Sequence, residues 1–287
     1  MTEAGFIAHY CTRLSLNVRS AMRRGLATVA VAALVSVPAA AQQPQPSVGD
    51  AADRPGFADT PVLLAPGQIQ VEAGFTWERD DPGGTELTKT STWPQIEMHG
   101  GITPRVELSI AWDGLVSVAV PESTTSATQR GTGVADVRLG AKFGLVNRRR
   151  VNAALIVYGN LPIGSEAFSS HYADPRTRFA WATSISDRFG LSGTADLASA
   201  REEDDRVRAK PAASMSLGTR VIRTLNGFVG IVAESPEEGS KPDLWSVEAG
   251  AVLAAGARTQ IDVWVNRRVA GGPDNWFIGG GVARRLR

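Results

Sequence analysis

Residues 68–79 read QIQVEAGFTWER, and their alternation of apolar and polar side chains decides the predicted fold class. Successive side chains of a β-strand point to opposite faces, so this stretch has one apolar and one polar face. About ten residues of this pattern are typical of a transmembrane barrel strand, with its apolar face towards lipid. The apolar face comprises Ile69, Val71, Ala73, Phe75 and Trp77, and the polar face Gln68, Gln70, Glu72, Thr76 and Glu78.

Eleven further stretches with a similar alternation of apolar and polar or small residues follow, separated by Gly, Pro, Asn and Asp. They predict an all-β, antiparallel transmembrane barrel of about twelve strands, an even number that places both chain ends in the periplasm. The expected long polar loops are 80–87, 121–132, 164–175, 201–210, 235–243 and 267–274. The strands after the first are expected at 88–101, 106–113, 134–146, 151–161, 178–187, 191–200, 213–222, 227–234, 244–254, 259–266 and 275–286.

A soluble β-sandwich is the competing fold, because its strands also alternate. The predicted strands are roughly ten residues long, against a usual length of about five or six, which favours the barrel. Beyond the N-terminal region the sequence has no run of 18 apolar residues, so a helical membrane span is not expected. In lipid, a closed barrel would then be needed to satisfy the backbone hydrogen bonds.

Residues 1–41 are predicted to be a cleaved secretion signal. Met22-Arg23-Arg24 is a basic start, residues 26–37 are apolar, and residues 39–41 are three alanines suited to cleavage. Because residues 1–21 are unusual ahead of such a signal, we expect synthesis to begin at Met22. An uncleaved anchor helix is the alternative, but the apolar run of roughly 12 residues is shorter than the about 20 that span a bilayer.

After cleavage the chain would consist of an extended N-terminal segment at 42–66 and an outer-membrane barrel at 67–287. The single cysteine, Cys11, lies in the signal, which excludes disulfides and cysteine-type zinc sites from the mature chain. The net charge of +1 argues against a nucleic-acid partner. The expected partners are outer-membrane lipid, the barrel-assembly machinery and a small-molecule solute of unknown identity.

Five stretches of the mature chain carry a family resemblance. They are DRPGF at 53–57 leading to APGQIQVEAGF at 65–75, GTGVADVRLGAKF at 131–143, LPIGS at 161–165, and QIDV at 260–263 followed by DNWFIGGG at 274–281. Together they resemble the outer-membrane transporter-like family of the meta-pathway of phenol degradation, over about residues 53–287. The resemblance implies a barrel that takes up hydrophobic or aromatic small molecules.

The C-terminus departs from that resemblance. Such barrels usually end on an aromatic residue that helps assembly, whereas this chain ends Arg284-Arg285-Leu286-Arg287. The departure weakens the assembly signal and leaves the strand pattern intact.

The residues just before the first strand have two interpretations. Asp53, Arg54 and Phe57 could belong to an N-terminal plug that folds into the lumen, pairs with charges on the wall and narrows the pore. Alternatively, this segment is a periplasmic tail that only leads into the first strand.

Charged residues on the predicted inward faces also have two interpretations. They could line a solute path and select the solute by their field and hydrogen bonds. Alternatively, they form salt bridges that fill a barrel of about twelve strands, whose bore side chains can partly close. These residues are Glu72, Glu107, Asp136, Arg138, Lys142, Asp196, Glu248 and Asp262.

Several of the seven tryptophans lie towards predicted strand ends, which is typical of the aromatic belts at membrane interfaces. A stacking path for aromatic solutes is the alternative. The residues assigned to the interface are Trp77, Trp112, Trp245 and Trp276.

Enzymatic activity is not expected, and neither is a metal or other cofactor. His99 and His171 are the only histidines after the signal, and no serine lies in a Gly-x-Ser-x-Gly motif. The sequence therefore predicts an outer-membrane channel that passes small compounds by passive diffusion. The alternatives are a non-transporting barrel that presents its loops and, third, a lipid-modifying enzyme.

Overall fold

The computed structural model describes residues 51–54, 56–81, 87–121, 128–201, 207–236 and 243–286. The predicted signal at 1–41 and residues 42–50 lie outside these ranges. The described chain forms fourteen antiparallel strand segments. They are β1 (Ile69–Asp81), β2 (Thr88–Thr103), β3 (Val106–Trp112), β4 (Leu115–Pro121), β5 (Thr128–Val134), β6 (Val137–Asn147), β7 (Val151–Leu161), β8 (Pro175–Ser184), β9 (Phe189–Arg201), β10 (Val207–Ile222), β11 (Leu225–Glu234), β12 (Leu244–Ala254), β13 (Thr259–Ala270) and β14 (Asp274–Arg285).

The sheet closes on itself through β1. On one side β1 pairs with the last strand, Ala73 opposite Val282, and on the other it pairs with β2, Ala73 opposite Ile96. From β6 to β14 each strand pairs with the next in sequence. Closure removes the free sheet edges that would leave backbone groups unpaired in lipid. The predicted antiparallel barrel is therefore confirmed.

Two strands are each interrupted once, so fourteen segments make twelve strands. β3 and β4 both pair with β2 and are separated by Asp113 and Gly114. β6 pairs with β3 and β5 with β4, and Ala135 and Asp136 separate them. Gly114 has φ 80°, and a Cβ there would lie 2.0 Å from the carbonyl oxygen of Pro94, so only glycine fits the interruption.

The predicted loop at 121–132 is wrong. Leu115–Pro121 and Thr128–Val134 form the hairpin β4–β5, with Val118 opposite Gly131. The residues of β5 read TQRGTGV, which is polar and glycine-rich and resembles a loop in composition. Other strands also run further than predicted: β8 starts at Pro175, β10 starts at Val207 and β13 continues to Ala270.

The barrel has an apolar exterior and a polar interior, the reverse of a soluble protein. On β6, Leu139, Phe143 and Leu145 are 45, 39 and 57% exposed, whereas Lys142 is 3% exposed. Apolar residues exposed in this way on strand after strand need lipid around them. The soluble sandwich is thereby excluded. Within the described residues, no helix is long and apolar enough to cross a membrane.

Candidate functional site

The chain from Ala51 to Gln68 contacts inward-facing side chains of the barrel wall, beginning with Asp53. Both carboxylate oxygens of Asp53 accept hydrogen bonds from Nζ of Lys142, at 2.9 and 3.0 Å. Its backbone N–H donates to Glu72 at 3.1 Å, and Thr60 N–H donates to Oδ1 at 2.8 Å. Asp53 thus joins the segment to β1 and β6.

Arg54 occupies space that two glycines leave open. Gly74 of β1 lies directly opposite Gly281 of β14. A Cβ at Gly74 would lie 2.4 Å from the Arg54 guanidinium, and one at Gly281 would lie 2.6 Å from it. In this position Arg54 Nε is 3.5 Å from Asp262, and the Arg54 carbonyl accepts a hydrogen bond of 3.1 Å from Gln260. Arg54 therefore attaches the segment to β13.

Phe57 and Asp59 bind β8 and β12. Phe57 N–H donates to Glu248 at 3.1 Å, and its ring lies 5.2 Å from the Arg178 guanidinium. Arg178 NH1 is 2.8 Å from Asp59, and Tyr158 of β7 donates its hydroxyl hydrogen to the same carboxylate. Charge-assisted hydrogen bonds of this kind are among the stronger ones in proteins.

The segment then turns into the first strand at Leu64. Leu64 is 1% exposed, and its N–H donates to Glu107 of β3 at 2.7 Å. Gly67 N–H donates to the carbonyl of Gly101 at 2.8 Å. With these contacts the segment is bonded to strands distributed around the whole barrel: β1, β2, β3, β6, β7, β8, β12 and β13.

The wall charges also pair with each other. Lys142 lies 3.5 Å from Glu107, and Arg138 lies 3.4 Å from Glu97 and 5.2 Å from the Tyr158 ring centre. Arg178 is hydrogen-bonded to Asp196 as well as to the segment. Most of the predicted lumen residues therefore have partners on the wall, on the segment, or on both.

Seven of the eight predicted lumen residues lie on strands and contact this interior network, and Asp136 does not. Asp136 lies between β5 and β6 and accepts hydrogen bonds from the N–H groups of Gly164 and Ser170, both at 2.8 Å. Its carboxylate therefore holds the loop that follows β7. The seven others are Glu72, Glu107, Arg138, Lys142, Asp196, Glu248 and Asp262.

Sequence reasoning missed several residues of this network. Tyr158 and Arg178 occupy inward positions, and strand alternation alone could have found them. Asp59 could not be found that way, because it lies in an irregular segment where alternation gives no orientation. His99 was considered only as a catalytic or metal-binding residue, although its place in β2 puts it on the inward face, 1% exposed.

The four tryptophans assigned to the interface occupy outward positions by strand alternation. Trp245 is 46% exposed, and the ring of Trp276 lies 4.7 Å from the Arg267 guanidinium on the neighbouring strand. Trp264 instead points inward, where its indole fits against Gly279; a Cβ there would lie 2.4 Å from Nε1. These outward positions suit a membrane interface, and the belt stays a prediction.

Solved structures share the fold of this chain. The COG4313 outer membrane channel from Pseudomonas putida F1 aligns with a TM-score of 0.61 and 13% identity, over 78% of this chain and 97% of that chain. The transport unit of the autotransporter AIDA-I from Escherichia coli aligns with a TM-score of 0.52 and 7% identity, over 77% and 90%. The fold and the apolar exterior place this chain in the outer membrane.

Among curated protein sequences, none matches this chain. A family model does match it, over residues 52–286, which includes the N-terminal segment and the whole barrel. The protein is therefore a member of the family described as "Putative MetA-pathway of phenol degradation".

Proposed function

We propose that this barrel is an outer-membrane channel for the passive passage of small compounds, with the segment 51–68 as its plug. One observation carries the proposal: the segment is attached to the wall mainly through ion pairs and hydrogen bonds. Asp53–Lys142 and Arg54–Asp262 hold it to β6 and β13, which are far apart in the strand order. Bonds of this kind can be exchanged for water, so the segment can leave and return.

The pairing of the wall charges bears on how a solute would pass. Lys142, Glu107 and Arg178 are engaged with the segment or with other wall residues, so they are not free to bind a solute while the plug is in place. Displacing the segment would expose this charged lining to solute and water. A plug whose release opens the path accounts for the polar attachment of the segment and for the pairing of the wall charges.

Hydrophobic or aromatic compounds are the solutes that we propose. The support comes from the family, whose description refers to phenol degradation.

Single-channel recording in planar bilayers tests the proposal. Deletion of residues 53–66 is expected to raise conductance well above that of the full chain, since it removes every bond from Asp53 and Arg54 to the wall. Equal conductance in the two proteins would exclude the plug. If neither protein conducts and neither passes phenol into liposomes, the barrel is a non-transporting one that presents its loops.

A lipid-modifying enzyme has less support. The fold is that of a channel, and the imidazole Nε2 of His171 is buried without a hydrogen-bond partner among the described residues. A catalytic histidine would instead be bonded to the nucleophile that it activates.

A further inference from the structure

His99 on β2 is surrounded by carboxylates from three strands and from the N-terminal segment. Its Nδ1 lies 3.1 Å from Glu107 and 3.8 Å from Asp53. Its Nε2 lies 3.6 Å from Glu72 and 3.8 Å from Glu97. The side chain is 1% exposed, so water does not reach it from the lumen.

Of the two ring nitrogens of His99, one has a hydrogen-bond partner among the described residues and the other has none. Nδ1 is within hydrogen-bonding distance of Glu107, whose carboxylate accepts the Nδ1 proton. Nε2 is buried and has no hydrogen-bond partner among the described residues, and neither has Oε2 of Glu72. A bound ion is one of the explanations for a buried polar atom that has no partner. Here Nε2 lies 3.6 and 3.8 Å from carboxylate oxygens of Glu72 and Glu97, too far for a hydrogen bond.

The charges around His99 do not balance. Four carboxylates lie within 3.8 Å of the ring, and their described lysine and arginine partners are Lys142 and Arg138. With a neutral imidazole two negative charges are left over, and with a protonated imidazole one is left over. Glu72 and Glu97 are also directly opposite each other in the β1–β2 register, an arrangement in which like charges repel.

We propose that His99, Glu97 and Asp53, with Glu72 beside them, bind one divalent transition-metal ion such as Zn²⁺. One ligand atom from each of the first three residues lies within 4.8 Å of the others, so small side-chain movements bring them to metal–ligand distances of about 2.0–2.2 Å. A divalent ion bound to the neutral imidazole offsets the two remaining negative charges. An imidazole ligand favours Zn²⁺ over Ca²⁺ and Mg²⁺, which prefer oxygen ligands.

Glu107 has a defined place in this site. Metal-binding histidines usually donate their other ring N–H to a carboxylate, which fixes the tautomer and the ring orientation. Glu107 accepts from Nδ1 and is itself held by Lys142 and by the Leu64 N–H. Since Asp53 belongs to the N-terminal segment, the ion also joins that segment to β2. The site does not depend on whether the barrel conducts.

Metal titration of the full chain, extracted from outer membranes in detergent and stripped with a chelator, tests the proposal. Equilibrium dialysis against Zn²⁺ alone is expected to give saturation at one ion per chain, and Ca²⁺ and Mg²⁺ at the same concentration are not expected to compete. Glu107→Gln should weaken binding about 10–100-fold, and His99→Gln should weaken it by more than about 100-fold.

His171→Gln is the matched control, because His171 is the other histidine after the signal region and lies outside the site. The His171→Gln protein should bind one ion with unchanged affinity. Heat-modifiable migration on a gel shows that each variant is folded. If His99→Gln does not fold, X-ray absorption of the wild-type zinc complex decides: an imidazole nitrogen with carboxylate oxygens is expected. Any of three results would overturn the site: no saturable zinc binding, the same loss of zinc affinity in His171→Gln as in His99→Gln, or a spectrum without an imidazole ligand.

Discussion

The ammonium group of Lys142 lies 2.9 and 3.0 Å from the two carboxylate oxygens of Asp53, which joins β6 to the N-terminal segment. The side chains are 3% and 7% exposed. Removing one member of a buried pair leaves the other charge without compensation, at a cost of about 3–5 kcal/mol. A segment that leaves the wall avoids that cost, so in the proposed channel this pair helps to hold the plug in place.

Lys142→Gln is therefore expected to open the channel more often than the wild type. The variant leaves Asp53 buried beside other carboxylates, which favours release of the segment into water. Open probability in planar bilayers measures the effect. Lys89→Gln, at an exposed position on β2, is the control and should behave as the wild type does. The plug would have to be abandoned if the two variants gave the same open probability.

The glycine at position 74 provides a second test through the same segment. Gly74→Ala places a methyl group 2.4 Å from the Arg54 guanidinium and should push that side chain away from Asp262. We expect faster proteolysis after Phe57 by chymotrypsin and a higher conductance. Gly100→Ala is the matched control, because a Cβ at Gly100 meets nothing within 4 Å. A Gly74→Ala protein with wild-type proteolysis would show that Arg54 does not hold the segment.

The sequence predicted the barrel, its twelve strands and its exterior, because lipid demands an apolar face on every strand and alternation reports it directly. It failed at β4–β5, where TQRGTGV has no apolar alternation for the pattern to show. The interior was predicted as a set of inward charges and, in one of two interpretations, as the place of an N-terminal plug that pairs with them. Which charges meet depends on the path of residues 51–68, and neither periodicity nor turn chemistry defines the path of an irregular segment.

Asp136 is a second residue whose contacts strand alternation does not predict. It occupies an inward position in the alternation of β6, yet the strand breaks at Asp136 and its carboxylate accepts from Gly164 and Ser170. A break in a strand changes the direction of the side chain. The alternating pattern of the sequence does not show the break, so it still predicts an inward side chain.

Asp136→Asn is expected to loosen the loop that follows β7. An amide accepts with one oxygen, whereas the carboxylate accepts with both, so one of the hydrogen bonds from Gly164 and Ser170 is lost. Amide hydrogen exchange in residues 162–174 should become faster by roughly tenfold, corresponding to about 1.4 kcal/mol, the strength of one such bond. Glu166→Gln, an exposed residue of the same loop, should leave the exchange unchanged. Faster exchange in both proteins would mean that Asp136 is not the anchor.

We expect aromatic rings packed against glycines of the neighbouring strand to stabilise the wall, and Phe228 on Gly250 tests this. The two residues are directly opposite in the β11–β12 register, and a Cβ at Gly250 would lie 2.4 Å from the Phe228 ring. Phe228 also lies near Gly56 of the segment, so it has little room to move. Overpacking of this kind costs about 1–3 kcal/mol.

Gly250→Ala should therefore lower the urea midpoint of the barrel in detergent, whereas Gly159→Ala, where a Cβ meets nothing within 4 Å, should change it little. A double variant with Phe228→Leu removes the obstructing ring and should recover most of the loss, because the clash and not the methyl group itself is the cause. If Gly250→Ala and Gly159→Ala unfold at the same urea concentration, the rings do not determine the stability of this part of the wall.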